Sequence, residues 1–343
     1  MRFDMKSWAR SVIASDAVAA LPVMTYPGLA LAGETVRSLI GDGEAQARCV
    51  KALAARYPAA AALTAMDLSA EAEAFGSAIR FSETEVPTVL GHVVSTLEEA
   101  RALPVPAVGA GRTGVGLRAA EILAREVTDR PVLGGLIGPV SLACRLMEMT
   151  PMMMAMRRSP ETLATVLAKA TEFLTAQAKA FKEAGANGVV VAEPVAGLLS
   201  PRQCDEHSSR WVKAIVDAVQ DEGFLVVLHN CGSTVPLVPS MVSTGAGAFH
   251  FGNSVAMTDI LPQLPGDRLA CGNVNPSGTF RIGTPEAMEA EVSALLAEME
   301  PYPTFVLSSG CDIPPGTPLE NVDAFFRALD AQNAGRGVRA RET

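Results

Sequence analysis

Residues 187–229 read NGVVVAEPVAGLLSPRQCDEHSSRWVKAIVDAVQDEGFLVVLH, and this segment is the clearest indication of the fold class. Its two ends, 187–192 and 224–229, are short apolar runs of the kind found in strands that are buried on both faces of a parallel sheet. Between them, Ser200 stands at an N-cap position directly before a proline, and a helical pattern runs on to Gly223. The segment therefore predicts a strand, a helix and a second strand parallel to the first.

Apolar runs of the same kind recur along the chain and predict its architecture. There are eight of them, at 21–25, 61–66, 132–137, 187–192, 224–229, 247–251, 269–274 and 304–308. Strand and helix in alternation over about 300 residues are typical of an α/β fold of the (β/α)8 TIM-barrel type, with an open doubly wound sheet as the alternative.

The chain, residues 1–343, is expected to form a single TIM-barrel domain. The stretch at about 70–130, after the second strand, is longer than a simple helical crossover and contains a hairpin-like piece at 78–81. We therefore expect an insertion there rather than a second domain.

Composition excludes several classes of protein. Of the 343 residues 49% are apolar and 19% are charged, and the net charge of −9 disfavours a nucleic-acid partner. The opening does not resemble a signal peptide, and no apolar run reaches the roughly 18 to 20 residues of a membrane helix, so a cytoplasmic protein without a membrane partner is expected. Six cysteines are too few for a disulfide framework. The sequence is compatible with a homo-oligomer but does not decide the oligomeric state.

The ends of the predicted strands hold the residues that could carry chemistry, because a barrel of this type builds its site there. His229 and Cys231 follow the fifth run and, being two residues apart in extended backbone, project to the same side. Cys311 follows the eighth run. One imidazole and two thiolates are zinc-favouring ligands that leave a fourth position, for which Glu193 after the fourth run is the candidate. The alternative is that His229 and the two cysteines are ordinary core residues and that Glu193 is an acid–base or capping residue.

Two further polar residues lie at the same predicted rim. Asp67 follows the second run, and Asn273 lies at the end of the seventh. Both are candidates for substrate binding, with helix capping or loop turns as the alternative. His92 and His250 are weak candidates for any role, and the remaining cysteines lack partners at a metal-binding spacing.

Three segments together resemble the uroporphyrinogen decarboxylase superfamily. They are HNCG at 229–232, LSSGCDIPPGTPLEN at 307–321 and DLSAEAEAFG at 67–76. The resemblance is strongest to the corrinoid-dependent methyltransferase branch, which includes methylcobalamin:coenzyme M and methylcorrinoid:tetrahydrofolate methyltransferases. It implies a TIM barrel that binds Zn²⁺ through His229, Cys231 and Cys311.

The resemblance also implies an activity in one-carbon metabolism. A methyl group would move between a methylated corrinoid (cobalamin), supplied by a partner corrinoid protein, and a small acceptor such as coenzyme M, another thiol or tetrahydrofolate. Decarboxylation of a porphyrinogen is the alternative, disfavoured because residues 25–30 contain no arginine to bind substrate carboxylates. A non-catalytic module that binds a corrinoid protein is a third hypothesis.

Overall fold

The computed structural model describes the backbone of residues 3–342 and the side chains of residues 3–335. Within this part of the chain the strands are β1 (Ala62–Leu63), β2 (Ala78–Arg80), β3 (Thr88–Leu90), β4 (Val132–Ile137), β5 (Gly188–Ala192), β6 (Leu225–Asn230), β7 (Ala248–Phe251), β8 (Leu269–Val274) and β9 (Phe305–Ser309).

The α-helices surround these strands. They are α1 (Met5–Ile13), α2 (Gly28–Ala32), α3 (Val36–Gly41), α4 (Gly43–Arg56), α5 (Ala70–Ala74), α6 (Leu97–Ala102), α7 (Thr113–Glu126), α8 (Pro139–Met147), α9 (Met149–Arg158), α10 (Pro160–Glu183), α11 (Pro201–Cys204), α12 (Arg210–Val219), α13 (Val238–Ser243), α14 (Met257–Ile260), α15 (Pro285–Glu298) and α16 (Leu319–Glu342). Short 3-10 turns occur at Pro194–Leu198, Val235–Leu237 and Leu261–Gln263, and π-helical turns at Asp205–Ser209 and Pro276–Arg281. Among the described residues, no helix combines the length and the apolar character that crossing a bilayer requires.

A curled parallel sheet forms the centre of the fold. Over residues 3–342 it contains seven strands in the order β1-β4-β5-β6-β7-β8-β9, and every neighbouring pair is parallel. The α/β architecture predicted from the sequence is therefore confirmed, with neighbouring strands in chain order.

The first predicted run, 21–25, is not a regular strand but joins the two edges of the sheet. Ala20 forms a parallel bridge with Leu307 of β9, and the Leu21 N–H donates to the Leu307 carbonyl at 2.8 Å. On the other side the Ala60 N–H, just before β1, donates to the Ala20 carbonyl at 2.7 Å. The segment thus lies between β9 and β1, in the place of an eighth strand.

The long connection between β1 and β4 contains α5, α6, α7 and the antiparallel pair β2 and β3. The hairpin-like piece predicted at 78–81 is confirmed, because Ala78–Arg80 pairs with Thr88–Leu90 in a separate two-stranded sheet. That the region 70–130 is an insertion stays a prediction.

Side chains alternate between two cores along each central strand. Leu225 and Val227 of β6 point to the inside of the curled sheet, together with Val190, Ala248 and Val306. Val226 and Leu228 point outward, into the layer between the sheet and the helices. Met5 and Ala9 of α1 pack on the inner cluster from the amino-terminal end of the strands. The inside is therefore a packed core, and the carboxyl ends of the strands are where barrel enzymes place their sites.

At Gly188 the strands β5 and β6 approach so closely that a larger residue should destabilise the protein. A Cβ added there would lie 2.3 Å from the Leu225 carbonyl oxygen, so Gly188→Ala must push the two strands apart. We expect a loss of about 1–3 kcal/mol in the free energy of unfolding, measured by urea denaturation. The control is Gly266→Ala, which meets nothing within 4 Å on an exposed loop. Equal stability of the two variants would contradict this close approach of the two strands.

Candidate metal centre

The candidate site lies at the carboxyl ends of β6 and β9. His229 continues the inward alternation of Leu225 and Val227, so its ring points to the inside of the curled sheet. Cys231 follows β6 by one residue, and Cys311 follows β9 by two. Parallel strands end at one edge of a sheet, and this brings residues some 80 positions apart to one place.

The three side chains converge as the sequence predicts. The Nε2 atom of His229 lies 3.6 Å from the Sγ atom of Cys311, and one ligand atom from each of His229, Cys231 and Cys311 lies within 4.8 Å of the others. His229 is buried, whereas the two cysteines are partly exposed. Among the described residues, this is the one group of three or more His, Cys, Asp or Glu side chains close enough to share a metal ion.

Hydrogen bonds to backbone groups hold the two cysteine-bearing turns in place. The Asn230 side chain donates to the Glu193 carbonyl at 2.9 Å and accepts from the Gly232 N–H at 2.8 Å, which fixes the turn around Cys231. Beyond β9, the Ile313 N–H donates to the Val23 carbonyl at 2.9 Å. Both thiols are therefore placed by turns that are hydrogen-bonded to neighbouring segments of the chain.

The two thiols have opposite shifts in pKa. Interaction with the Cys311 side chain lowers the pKa of Cys231 to about 4, and the contact with His229 acts in the same direction against the effect of burial. The same interaction raises the pKa of Cys311 well above its usual range, and burial adds to the rise. The close contact between the two thiols therefore favours a single thiolate in the pair.

A histidine that the sequence did not single out contacts the group directly. His250, on β7, lies opposite His229 in the strand register, and the Nδ1 atoms of the two rings are 2.7 Å apart. The Nε2 atom of His250 lies 2.7 Å from the Oγ atom of Ser308. Complete burial lowers the pKa of His250 well below its usual value, so the ring is neutral. One histidine in an apolar strand provides little signal by itself, because only the register reveals its partner.

The structure does not bring Glu193 into this group, and the prediction that it supplies a fourth ligand is not supported. Ala192 points to the inside of the sheet and Val191 points outward, so the next residue in the alternation, Glu193, faces the helix layer. Its carboxylate accepts hydrogen bonds from the N–H groups of Val140 and Ser141 at 2.9 and 3.0 Å. The Ser141 hydroxyl donates to the same carboxylate at 2.7 Å. Glu193 is thus bound to the amino-terminal end of α8.

Asp67 and Asn273, the two predicted substrate-binding residues, already have partners within the protein. Arg112 pairs with Asp67 and also with Glu73. The Asn273 side chain donates to the carbonyls of Gly252 and Val255 at 2.9 and 2.7 Å. A role of either residue in substrate binding stays a prediction.

Two buried carboxyl groups near this edge have no complete set of partners. Burial raises the pKa of Glu71 to about 7, and its Oε2 atom has no hydrogen-bond partner among the described residues. Burial also raises the pKa of Asp312, next to Cys311, well above its usual value, and its Oδ1 atom is similarly without a described partner. Neither group stands out from the spacing of residues along the chain.

The chain is thus an α/β protein with a candidate His-Cys-Cys metal centre at the carboxyl edge of its parallel sheet. The sequence profile of one family, described as uroporphyrinogen decarboxylase (URO-D), matches residues 23–332. The chain therefore belongs to the URO-D family.

Relatives within the family include methyltransferases and decarboxylases. The methylcobamide:CoM methyltransferase MtbA of Methanosarcina acetivorans is 29% identical over 260 residues, which cover 75% of each chain. A uroporphyrinogen decarboxylase of Hydrogenovibrio crunogenus is 26% identical over 292 residues, covering 80% of this chain and 79% of the relative. Among solved structures, a methyltransferase from Methanosarcina mazei superimposes with a TM-score of 0.85 at 26% identity, over 96% of this chain and 99% of the other.

Glu193→Gln tests whether this carboxylate is a metal ligand. Because Glu193 faces α8, we expect the variant to retain the zinc content of the wild type after reconstitution, as measured by elemental analysis. Stability should fall by about 1–3 kcal/mol, because Gln replaces a carboxylate that accepts three hydrogen bonds. Cys311→Ala is the comparison that should lose zinc. Zinc loss from Glu193→Gln as large as from Cys311→Ala would make Glu193 a ligand after all.

Burial of Glu71 predicts a pH dependence of stability. Its pKa rises from 4.5 to about 7 on folding, so the unfolded chain releases this proton first as the pH rises. The wild type should lose stability relative to Glu71→Gln between pH 4.5 and about pH 7, by up to about 3 kcal/mol, in urea denaturation at a series of pH values. The control is Glu298→Gln, the same substitution at an exposed position. A pH-independent difference for Glu71→Gln would contradict the raised pKa.

Proposed function

We propose that this protein is a zinc-dependent methyltransferase that moves a methyl group between a methylated corrinoid, carried by a partner protein, and a small acceptor. The convergence of His229, Cys231 and Cys311 at the carboxyl edge of the sheet is the observation that carries the proposal. The similarity to a methylcobamide:CoM methyltransferase over three quarters of both chains supports it.

The donor set fits zinc. One imidazole nitrogen and two thiol sulfurs are ligands that zinc favours, and three protein ligands leave a position for an exchangeable partner, as catalytic zinc sites do. The low pKa of Cys231 favours binding, because a thiol must lose its proton to bind a metal. His229, Cys231 and Cys311 would hold the ion.

A thiol such as coenzyme M is the acceptor that this chemistry fits best. When bound, zinc lowers the pKa of a coordinated thiol, which supplies an acceptor thiolate at neutral pH. In the proposed transfer, the electron pair of that thiolate would form the new sulfur–carbon bond, and the pair of the cobalt–carbon bond would remain with the corrinoid. Tetrahydrofolate is the second acceptor to be tested.

Decarboxylation of a porphyrinogen fits the site less well. Such a substrate carries several carboxylates, which need cationic partners. Arg112 lies close to the predicted rim, but its guanidinium is already paired with Asp67 and Glu73. The stretch 25–30 offers no arginine, and Tyr26 within it is buried.

Exposed apolar side chains offer a surface for a partner corrinoid protein at the same end of the fold. Met149 and Met154 of α9, Leu198 after β5 and Ile282 after β8 are 40 to 79% exposed. All of them lie in connections that follow the carboxyl ends of strands. Flexible thioether side chains suit an adaptable contact with another protein. We propose that the corrinoid protein docks at this face.

The proposal also includes the complete barrel architecture. We infer that the seven strands and the 19–25 segment together make up a (β/α)8 barrel, and that the region 70–130 is an insertion after its second strand. The activity would then lie where barrel enzymes place it, at the carboxyl ends of the strands.

Cys311→Ala tests the proposed function. Reconstituted wild-type protein should bind about one zinc per chain and consume methylcobalamin when coenzyme M, homocysteine or tetrahydrofolate is added, as followed by absorbance. Cys311→Ala should lose bound zinc and more than roughly 100-fold in rate, because even outer partners of metal ligands contribute 10- to 100-fold. Circular dichroism should show a folded protein.

Cys49→Ala is the matched control, because Cys49 is buried in α4, outside the group of three ligands. It should retain zinc and activity. Wild-type activity in Cys311→Ala would remove this residue from the site. Porphyrinogen decarboxylation without methyl transfer would favour the alternative enzyme, and corrinoid-protein binding without any turnover would favour a non-catalytic module.

A further inference from the structure

Hydrogen-bond directions within the sheet identify a residue that orients the metal ligand His229. The hydroxyl of Ser308 lies 2.6 Å from the carbonyl oxygen of Leu21, which can only accept, so the single hydroxyl hydrogen points there. The Oγ atom of Ser308 must then accept from the Nε2 atom of His250, 2.7 Å away. His250 therefore carries its hydrogen on Nε2.

The position of this hydrogen determines the hydrogens of both rings. One hydrogen lies between the two Nδ1 atoms of His250 and His229, which are 2.7 Å apart. If that hydrogen belonged to His250, the ring would be a cation in a fully buried position. It therefore belongs to His229, whose Nδ1–H donates to His250. In the neutral ring, which is the form that binds a metal, the Nε2 atom of His229 then has a free lone pair.

That lone pair lies on the side of the two thiols. The Nε2 atom of His229 is the one that approaches the Sγ atom of Cys311, at 3.6 Å. Because His229 and His250 are register partners on β6 and β7, both point inward from adjacent strands. His250 in turn is anchored through Ser308 of β9 to the backbone of Leu21. These hydrogen bonds lead from His229 through His250 and Ser308 to Leu21, and they lie inside the curled sheet.

We propose that His250 is a positioning residue that, with Ser308, holds His229 in the tautomer whose Nε2 lone pair faces Cys231 and Cys311. Metal-binding histidines commonly donate their second ring N–H to an outer partner that fixes tautomer and orientation. Here that partner is the unprotonated nitrogen of another histidine. The proposal rests on the metal site of the proposed function and not on methyl transfer.

The tautomers can be measured in the full-length protein without any substitution. Two-bond proton–nitrogen correlation spectra of ¹⁵N-histidine-labelled protein distinguish the two neutral tautomers, and the chain has four histidines to assign. We expect His229 to be protonated on Nδ1 and His250 on Nε2 before zinc is added. The reverse tautomer of either ring would overturn the proposal, even if every variant failed to fold.

A pair of variants tests the consequence for metal binding. His250→Asn keeps an oxygen that can accept from the Nδ1–H of His229, whereas His250→Leu is of similar size and cannot accept. We expect His250→Leu to lose the defined His229 tautomer and to bind zinc roughly 10- to 100-fold more weakly in competition with a chelator. His250→Asn should retain the tautomer and most of the affinity.

The outcomes separate this proposal from the proposed function. Wild-type zinc affinity and an unchanged His229 tautomer in His250→Leu would overturn the positioning role, whatever the methyl-transfer assays show. Equal loss of affinity in His250→Leu and His250→Asn, with His229 unchanged in its tautomer, would reduce His250 to a packing residue. If zinc affinity and tautomers behave as expected but no acceptor is methylated, the positioning role stands and the methyltransferase proposal fails.

Discussion

Hydrogen bonds between β6 and β7 set the register on which the candidate metal centre depends. They place His229 directly opposite His250, with both rings turned to the inside of the sheet. A slip of β7 by one residue would turn the His250 ring outward, away from His229, and bring Phe249 inside instead. The same alternation sends Cys231 to the side of His229. A buried sheet therefore fixes the positions of the candidate ligands at its carboxyl edge.

The central strands could be predicted from sequence because they are buried on both faces. The runs at 132–137, 187–192, 224–229, 247–251, 269–274 and 304–308 all appear within a residue or two of their expected bounds. The first run differs because Pro22 has no N–H for a ladder that Leu21 begins. The second is cut short where the Ala65 N–H donates to the side chain of Gln46, at 3.2 Å, instead of to a neighbouring strand. In each case one backbone N–H interrupts the strand, because it is missing at Pro22 and bonded to a side chain at Ala65. An apolar pattern does not reveal either feature.

The site could be predicted as far as its spacing in sequence is informative. His229 and Cys231 lie two residues apart in extended backbone, so their side chains face the same way. Cys311 lies at the same edge of the sheet. Ala192 points inward, so the same alternation places the Glu193 side chain on the outer face of the sheet. The sequence predicts that Glu193 lies at a strand end, but not which face its side chain points to. His250 is 21 residues from His229, and only the pairing of their strands makes them neighbours. Contacts between strands are the part that spacing along one strand cannot supply.

The interior of the curled sheet is packed and helix α1 covers its amino-terminal end, so the candidate ligands are reached from the carboxyl edge, where Cys231 and Cys311 are partly exposed. Val190, Val227 and Val306 fill the inside of the sheet, and Met5 packs against this cluster from the amino-terminal ends of the strands. Under the proposed function, a small acceptor and a much larger corrinoid-carrying protein must both reach this edge. A docked protein would obstruct the path of the small molecule, so steric exclusion favours an order in which the acceptor binds first and the carrier protein docks over it. Such an order would also keep bulk water from the methyl group during its transfer.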